Sequence, residues 1–305
     1  MRNMGKWVLV DALNLAYRCF YAVPALSRSD GFPTNALHGW VRSLWMLADQ
    51  QEPDTLLIVF DLGEDPNKKR LLPEYKENRK EMPEALAQQL PYLKESAVLM
   101  GFPVIELFQT EADDLIATVA RRRAECGDSV LIVSGDKDLA QCVNDRVHLL
   151  VPSPSARGKP ASPAILDAQK VREKFGVPPE AIPDYLALIG DSSDNIPGIA
   201  GVGPKTAAKW LGEFGTVASL TQNSEKLRPE RLGQKVSENR DLLSRNLELV
   251  RLNDDVELPE PESREPDLEA LSSFFNSMEM NNATRDAEKR FARAGLSAIT
   301  NERFE

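Results

Sequence analysis

Short apolar runs that each end at an acidic residue constrain this chain more than any other feature. Trp7 to Val10 runs into Asp11, Leu56 to Phe60 into Asp61, and Val130 to Val133 into Ser134-Gly135-Asp136-Lys137-Asp138. A weaker run, Val104 to Leu107, comes just before Glu111, Asp113 and Asp114. Continuous Val, Ile and Leu runs of this length suit strands buried on both faces, as in parallel sheets. Helical patterns lie between them, at Asn35 to Ala48, Leu86 to Met100 and Ala112 to Arg123. The alternation predicts an α/β domain with helices on both faces of the sheet. In such sheets the carboxyl ends of the strands form the ligand crevice, so the acids are expected to converge on one rim.

A lone strand-end aspartate is commonly only a helix cap or turn former. Seven acids on one rim are different. At about 4 Å, two unit negative charges repel by roughly 4 kcal/mol at an effective dielectric of about 20, so the cluster must take up protons or bind cations. The chain has 2 histidines, and its 3 cysteines are scattered. The ligands are therefore hard oxygens, which favour Mg²⁺ or Mn²⁺ over zinc. His38 and His148 read as packing or surface residues, and Cys19, Cys126 and Cys142 as reduced thiols. Asp191 and Asp194, in Gly190-Asp191-Ser192-Ser193-Asp194-Asn195, are three apart and on a helical turn would face one way, completing a second cation site. Two ions a few ångströms apart can activate a water, neutralise nonbridging phosphate oxygens and stabilise a leaving oxygen. No Ser-His-Asp or Cys-His arrangement competes with that chemistry.

The 305 residues suit two packed units. Residues 1–164 read as the α/β core. Within it, 62–100 is longer than a crossover requires and predicts a projecting loop or helical arch. A Pro, Ser and Gly-rich stretch, Pro152 to Pro163, leads to an all-helical unit over 165–282, with Glu257 to Asp267 as a linker and 283–305 as a polar tail. No apolar run approaches the roughly 20 residues of a spanning helix, and no signal-peptide pattern precedes the first strand, so no membrane partner and a cytoplasmic location are expected. The net charge of -10 opposes phosphate binding in sum. Its distribution does not, because Lys68, Lys69, Arg70, Lys76, Arg79 and Lys80 fall in one segment.

Gly198-Ile199-Ala200-Gly201-Val202-Gly203-Pro204-Lys205-Thr206 fails as a P-loop: Pro204 separates glycine from lysine, and no strand precedes it. The better reading is a tight Gly-Val-Gly turn with Pro204 at the first helical position, aiming backbone N–H groups at a phosphate without reading sequence.

Taken in order, Val10-Asp11, Val59-Phe60-Asp61, Glu111-Ala112-Asp113-Asp114, Ser134-Gly135-Asp136-Lys137-Asp138, Gly190-Asp191 through Asp194-Asn195-Ile196-Pro197-Gly198 and Gly201-Val202-Gly203-Pro204-Lys205-Thr206 resemble the 5′-nucleases of the flap endonuclease family. The likeness is strongest to the 5′-3′ exonuclease domain of bacterial DNA polymerase I and covers residues 7 to about 280. It implies a PIN-like parallel sheet core with a helical arch, and a C-terminal helical unit with a helix-three-turn-helix motif. It further implies a structure-specific 5′-3′ exonuclease and flap endonuclease of replication and repair. Such an enzyme, expected as a monomer, would take DNA with a 5′ flap, nick or 5′ end, and about two Mg²⁺ or Mn²⁺ per site.

Residue by residue, the resemblance makes Asp11, Asp61, Glu111, Asp113, Asp114, Asp136, Asp138, Asp191 and Asp194 metal ligands. In Tyr75-Lys76-Glu77-Asn78-Arg79 it makes Lys76 and Arg79 catalytic contacts to the scissile phosphate, with Tyr75 among the DNA-binding residues. Arg18 would lie near the nicked strand. Gly201, Gly203, Lys205 and Thr206 would hold duplex backbone, where relatives also bind K⁺. One departure is Asn67-Lys68 in place of Phe-Arg at the start of the arch. The chain would be either a free-standing nuclease or a piece of a longer polypeptide. Three alternatives are weaker. A PIN-type ribonuclease lacks the helical module, a non-catalytic DNA-binding protein has no need of the second acidic pair, and an aspartyl phosphatase would carry Asp-x-Asp where Asp11-Ala12-Leu13 stands.

Overall fold

Each apolar run that predicts a strand forms one in the computed structural model, which describes residues 4–152 and 163–294. The expected linker at Pro152 to Pro163 and the end of the polar tail fall mostly outside the described residues. β1 (Lys6–Asp11) leads into α1 (Ala12–Ala22) and then α2 (Asn35–Gln51). β2 (Thr55–Val59) is followed by α3 (Pro66–Leu71), α4 (Glu84–Ala87) and α5 (Leu90–Leu99). β3 (Val104–Ile105), α6 (Ala112–Glu125), β4 (Ser129–Val133), β5 (Val147–Val151) and β6 (Ala164–Leu166) complete the sheet. Its order is β3-β2-β1-β4-β5-β6, parallel except for β6 at one edge. The order reverses between β1 and β4, which is where an open α/β sheet forms its crevice.

Both faces of the sheet are covered. Trp7, Leu9, Leu57, Val59, Val130 and Ile132 face one apolar cluster with Leu115, Ile116 and Val119 of α6. Val8, Val10, Leu56, Ile58, Leu131 and Val133 face another with Leu37, Trp40, Val41 and Leu44 of α2 and Leu93 of α5. This two-sided burial explains why the strands read as continuous apolar runs. Two strands escape that signature. In β5 the half-buried His148 interrupts an otherwise buried run, and β6 is a short edge strand with two exposed residues. The unit expected to be all-helical from residue 165 thus begins inside the sheet. The segment expected as an arch divides in two, since α5 belongs to the core and the stretch from α3 to Arg79 crosses the carboxylate rim.

Beyond the sheet come α7 (Ala168–Phe175), α8 (Ile182–Ile189), the hairpin of β7 (Gly190–Asp191) and β8 (Ile196–Pro197), α9 (Pro204–Phe214), α10 (Val217–Gln222), α11 (Glu230–Glu238) and α12 (Arg240–Val250). α8 is apolar almost all round and nearly wholly buried, so it forms the centre of this unit. Its Ile182, Leu186 and Leu188 join the same cluster as the α6 face of the sheet, so the two units share one core. Buried Asn246 of α12 donates to Ala187 O at 3.1 Å and Pro197 O at 2.7 Å, pinning α12 to α8 and to the hairpin.

The chain then returns to the sheet. Asn253 N donates to Asp114 Oδ1 at 2.8 Å, and Val256 N to Thr118 Oγ1 at 3.1 Å. Glu262, expected in a linker, exchanges backbone hydrogen bonds with Val104 at 2.8 and 2.9 Å. The strap thereby covers part of the free edge of β3. α13 (Leu268–Ser277) and α14 (Asn281–Ala294) follow. The sequence assigns residues up to 282 to the helical unit and 283 onward to a tail. In the packing, Leu271, Phe274, Phe275, Ala283 and Ala287 complete the α2–α5 side of the sheet instead. Phe275 stacks edge-on against Trp45 at 5.8 Å, and Arg290 lies over the same ring at 4.9 Å.

The β7–β8 hairpin tolerates no side chain at its crossing. A Cβ on Gly198 would fall 2.2 Å from Ile189 C and 2.3 Å from Ile189 O. Gly198→Ala is expected to lower stability by roughly 3–5 kcal/mol, because backbone, not a flexible side chain, must move. Gly212 sits inside α9 with nothing within 4 Å of a Cβ. Gly212→Ala should raise stability by about 0.5–1 kcal/mol. Urea denaturation of the two variants checks both signs.

Candidate metal centre

The acids on the sheet rim have local duties as well as shared ones. Asp11 caps α1, with Oδ1 accepting from Asn14 N at 3.0 Å, and its Oδ2 accepts from Ser134 Oγ at 2.7 Å. Asp61 Oδ1 accepts from Ala112 N at 2.9 Å and so ties the end of β2 to the start of α6. Asp136 Oδ1 accepts from Asp138 N at 3.0 Å. These bonds aim the carboxylates into the β1/β4 crevice. Burial, then the charges of Asp136, Asp11, Asp61 and Glu111, push Asp113 well above the carboxylate range. Burial raises Asp11 to about 7 despite the Ser134 and Asn14 hydrogen bonds, and Asp61 and Asp136 add to the rise.

A second group stands beside the first. One carboxylate oxygen each from Asp138, Asp191 and Asp194 lie within 4.8 Å of one another, and all three residues are buried. Asp191 ends β7 and Asp194 lies in the turn of the β7–β8 hairpin, not on a helical turn. An Asx arrangement holds the first of them, with Asp191 Oδ1 accepting from Ser193 N at 2.9 Å and Ser193 Oγ at 2.7 Å. Asp138 Oδ1 is buried and receives no hydrogen bond. Burial first, then Asp136, raises Asp138 to about 7. Three converging buried carboxylates, one with an oxygen that receives no hydrogen bond, fit a hard divalent cation.

Four cations of the chain itself balance part of this charge. Lys68 Nζ lies 2.7 Å from Glu111 Oε2, and Lys76 Nζ 2.5 Å from Glu111 Oε1. Burial alone would raise Glu111, but Lys68 and Lys76 outweigh it and hold the group down at about 2. Arg79 Nη2 meets Asp194 Oδ1 at 2.5 Å, and Lys137 Nζ meets Asp191 Oδ2 at 2.5 Å. Burial works against charge on Lys137, but Asp138 and Asp191 prevail and keep it protonated. Lys76 adopts φ 61° and its N–H donates to Asp194 O at 3.0 Å, a strained backbone position of a kind found at functional sites.

Among the sequence-identified residues, Asp114 is engaged differently from the rest. Its Oδ1 accepts from Asn253 N, and Lys68, Glu111 and Asp65 are its charged neighbours. Tyr75, expected among the DNA contacts, is 2% exposed and unavailable to a ligand. Its hydroxyl lies 3.2 Å from both Glu111 Oε2 and Asp194 Oδ2, bridging the two acidic groups. Arg18 sits on α1 one residue past Tyr17, a ring that feels the charge of Arg79. Gly203 caps α9 and Pro204 opens it, as the sequence predicts, with exposed Lys205 and half-buried Thr206 in its first turn. Gly201 has φ 93°, and Lys235 Nζ donates to Ala200 O at 2.8 Å, bracing the turn. Sequence reasoning missed the roles of Lys68 and Lys137. Lys68 belongs to the Asn67-Lys68 pair, and its ammonium is buried on Glu111.

The raised acids set a pH dependence. Asp138 rises from 3.8 to about 7 in the fold, so between those values the native state holds more protons than the unfolded chain. Metal-free stability must then fall as pH rises through that window. Asp138→Asn should be more stable than wild type in EDTA at pH 8, by up to about 4 kcal/mol, and so melt higher, with a smaller gain at pH 5. Equal melting of the two proteins in EDTA at pH 8 would contradict the assignment.

Comparison with known proteins places the chain in a family. Residues 6–176 match the 5′-3′ exonuclease N-terminal resolvase-like domain, and residues 177–269 the 5′-3′ exonuclease C-terminal SAM fold. The 5′-3′ exonuclease of Aquifex aeolicus is 37% identical over 300 residues, covering 97% of this chain and 100% of that protein. DNA polymerase I of Bacillus caldotenax is 37% identical over 256 residues, which make up 83% of this chain and 29% of the polymerase. The bacteriophage T5 flap endonuclease, solved as a pseudo-enzyme–product complex with DNA and metal ions, superposes with a TM-score of 0.67 at 22% identity, covering 93% of this chain and 98% of that one. At that identity the superposition establishes a shared fold. By both family matches and by its full-length relative, the chain belongs to the 5′-3′ exonuclease family.

Proposed function

We propose that this protein is a divalent-metal-dependent 5′-nuclease that hydrolyses DNA phosphodiesters at junctions of single strand and duplex, acting as 5′-3′ exonuclease and flap endonuclease in replication and repair. The observation that carries this reading is the convergence of buried Asp138, Asp191 and Asp194 beside a second set of crowded acids. Family membership and the T5 flap endonuclease, solved with DNA and metal ions, support it.

In this reading Asp11, Asp61, Glu111, Asp113 and Asp136 hold one Mg²⁺ or Mn²⁺, and Asp138, Asp191 and Asp194 a second. Asp114 supports the first set by fixing Lys68 and the strap at Asn253. Two such ions, when bound, lower the pKa of the attacking water, neutralise the nonbridging oxygens and stabilise the leaving oxygen. Lys76 and Arg79, on arms long enough to leave Glu111 and Asp194, turn to the scissile phosphate and take up charge on its equatorial oxygens. Buried Tyr75 keeps Glu111 and Asp194 in register. Arg18 lies by the nicked strand. The turn at Gly201 and Gly203, with Lys205 and Thr206, grips duplex backbone at the N-terminus of α9, and a K⁺ ion held by this turn would add to the contact. Such contacts read shape and not sequence. The segment from α3 to Arg79 admits a free 5′ strand, and the enzyme works as a cytoplasmic monomer.

Labelled 5′-flap, nicked and blunt DNA duplexes test the proposal. Cleavage within about one nucleotide of the junction is expected in Mg²⁺ or Mn²⁺ and not in EDTA. Asp136→Ala should abolish cleavage while leaving duplex binding intact, and Lys76→Ala should slow it by about 10²–10³-fold. Cutting in EDTA, or wild-type rates from Asp136→Ala, would refute the metal mechanism. A preference for a matched RNA flap would favour a ribonuclease.

A further inference from the structure

Among the described residues, Lys137 approaches two of the three carboxylates of the proposed second metal group. Its Nζ is 2.5 Å from Asp191 Oδ2 and 3.4 Å from Asp138 Oδ1, two of the three residues whose oxygens converge there. Lys68 and Lys76 approach Glu111, and Arg79 approaches Asp194 from the α3–α4 segment, outside the Asp138–Asp191 pair. Asp191 is 4% exposed at its side chain, whereas that of Lys137 is 34% exposed. The acid is thus fixed in place while the ammonium has a route to solvent. Asp191 is further held by Ser193, so its oxygens keep their positions whether or not Lys137 stays.

From this arrangement we infer that Lys137 is a tethered counter-ion that occupies the second divalent-metal position in the metal-free protein and must swing out for that ion to enter. A Mg²⁺ ion needs its ligand oxygens at about 2.0–2.1 Å and tolerates little departure from octahedral geometry. An ammonium hydrogen-bonded to Asp191 and ion-paired with Asp138 at 3.4 Å competes with such an ion for two of its three carboxylates. The two cations would also repel each other twice as strongly as two unit charges at the same separation. The lysine stem is flexible and its head strongly hydrated, so it can leave for solvent without disturbing the backbone. The centre therefore carries two antagonistic effects of one side chain. Lys137 makes the unloaded protein more stable, and it weakens the second metal site. The released ammonium remains tethered at the rim, beside the position where a phosphate would sit.

This inference rests on the proposed metal-binding function, and the test separates the two. Mn²⁺ binding to the full chain is followed by the electron paramagnetic resonance signal of free Mn²⁺, alongside thermal unfolding in EDTA and in Mn²⁺. Lys137→Met should tighten the weaker class of Mn²⁺ site by roughly tenfold, the size of an ordinary coupling between two sites. The same variant should melt lower than wild type in EDTA and gain more from Mn²⁺. Lys137→Gln, a second neutral variant, should behave alike, while Lys137→Arg should keep the weaker affinity. Unchanged or weakened Mn²⁺ binding in both neutral variants, with wild type binding normally, would overturn the inference and leave the nuclease reading standing. A wild-type protein that binds no Mn²⁺ would overturn both.

Discussion

Mutual repulsion among carboxylates at the carboxyl edge of the sheet is the interaction on which the rest of this structure depends. Parallel strands bring Asp11, Asp61 and the Asp136–Asp138 segment to one edge because their backbones run the same way, and α6 adds Glu111 and Asp113. Proximity at low dielectric makes full ionisation costly, which is why burial and neighbouring charge push Asp11 and Asp138 to about 7. The chain offsets part of that cost with Lys68, Lys76, Arg79 and Lys137. Asp138 Oδ1, buried and without a hydrogen bond, has only the Lys137 ammonium at 3.4 Å to offset it among the described residues.

The same interaction joins parts of the fold that are distant in sequence. Tyr75 and Arg79 tie the α3–α4 segment to Asp194 on the hairpin, and Lys137 ties the end of β4 to Asp191. The hairpin is in turn fixed by the Gly190–Gly198 crossing and by Asn246. Helical unit, rim segment and sheet thus meet at the acids, and one apolar cluster runs beneath all three. A site assembled from three elements is held to a definite geometry only if each element is rigid, and the buried polar bonds supply that rigidity.

Much of this was legible in the sequence, for identifiable reasons. Strands buried on both faces leave uninterrupted apolar runs, and acids that follow such runs mark the functional edge. The Gly-Val-Gly-Pro turn declared the start of α9 through backbone chemistry alone. Features set by tertiary partners were not legible. β5 and β6 have sequences that a loop could also carry, and only pairing, of β5 with β4 and of β6 with β5, makes them strands. Leu271, Phe274, Phe275 and Met278 announce an amphipathic helix, but nothing local says that its apolar face meets Trp45 rather than α12. At the centre, Lys137 was hidden between two aspartates, where a charged residue reads as solvated. Tyr75 was grouped with the DNA contacts through its motif, and nothing local says that its ring is buried between Glu111 and Asp194. Asp114 was grouped with its neighbours by position, although its bond to Asn253 N gives it a different partner.

The central claim is that the two acidic groups are two cation sites. Anomalous scattering from crystals soaked in Mn²⁺ addresses it without reference to activity. The account predicts two peaks, one bounded by Asp11, Asp113 and Asp136 and one by Asp138, Asp191 and Asp194. A fully ordered rim with no Mn²⁺ peak at either position would contradict it.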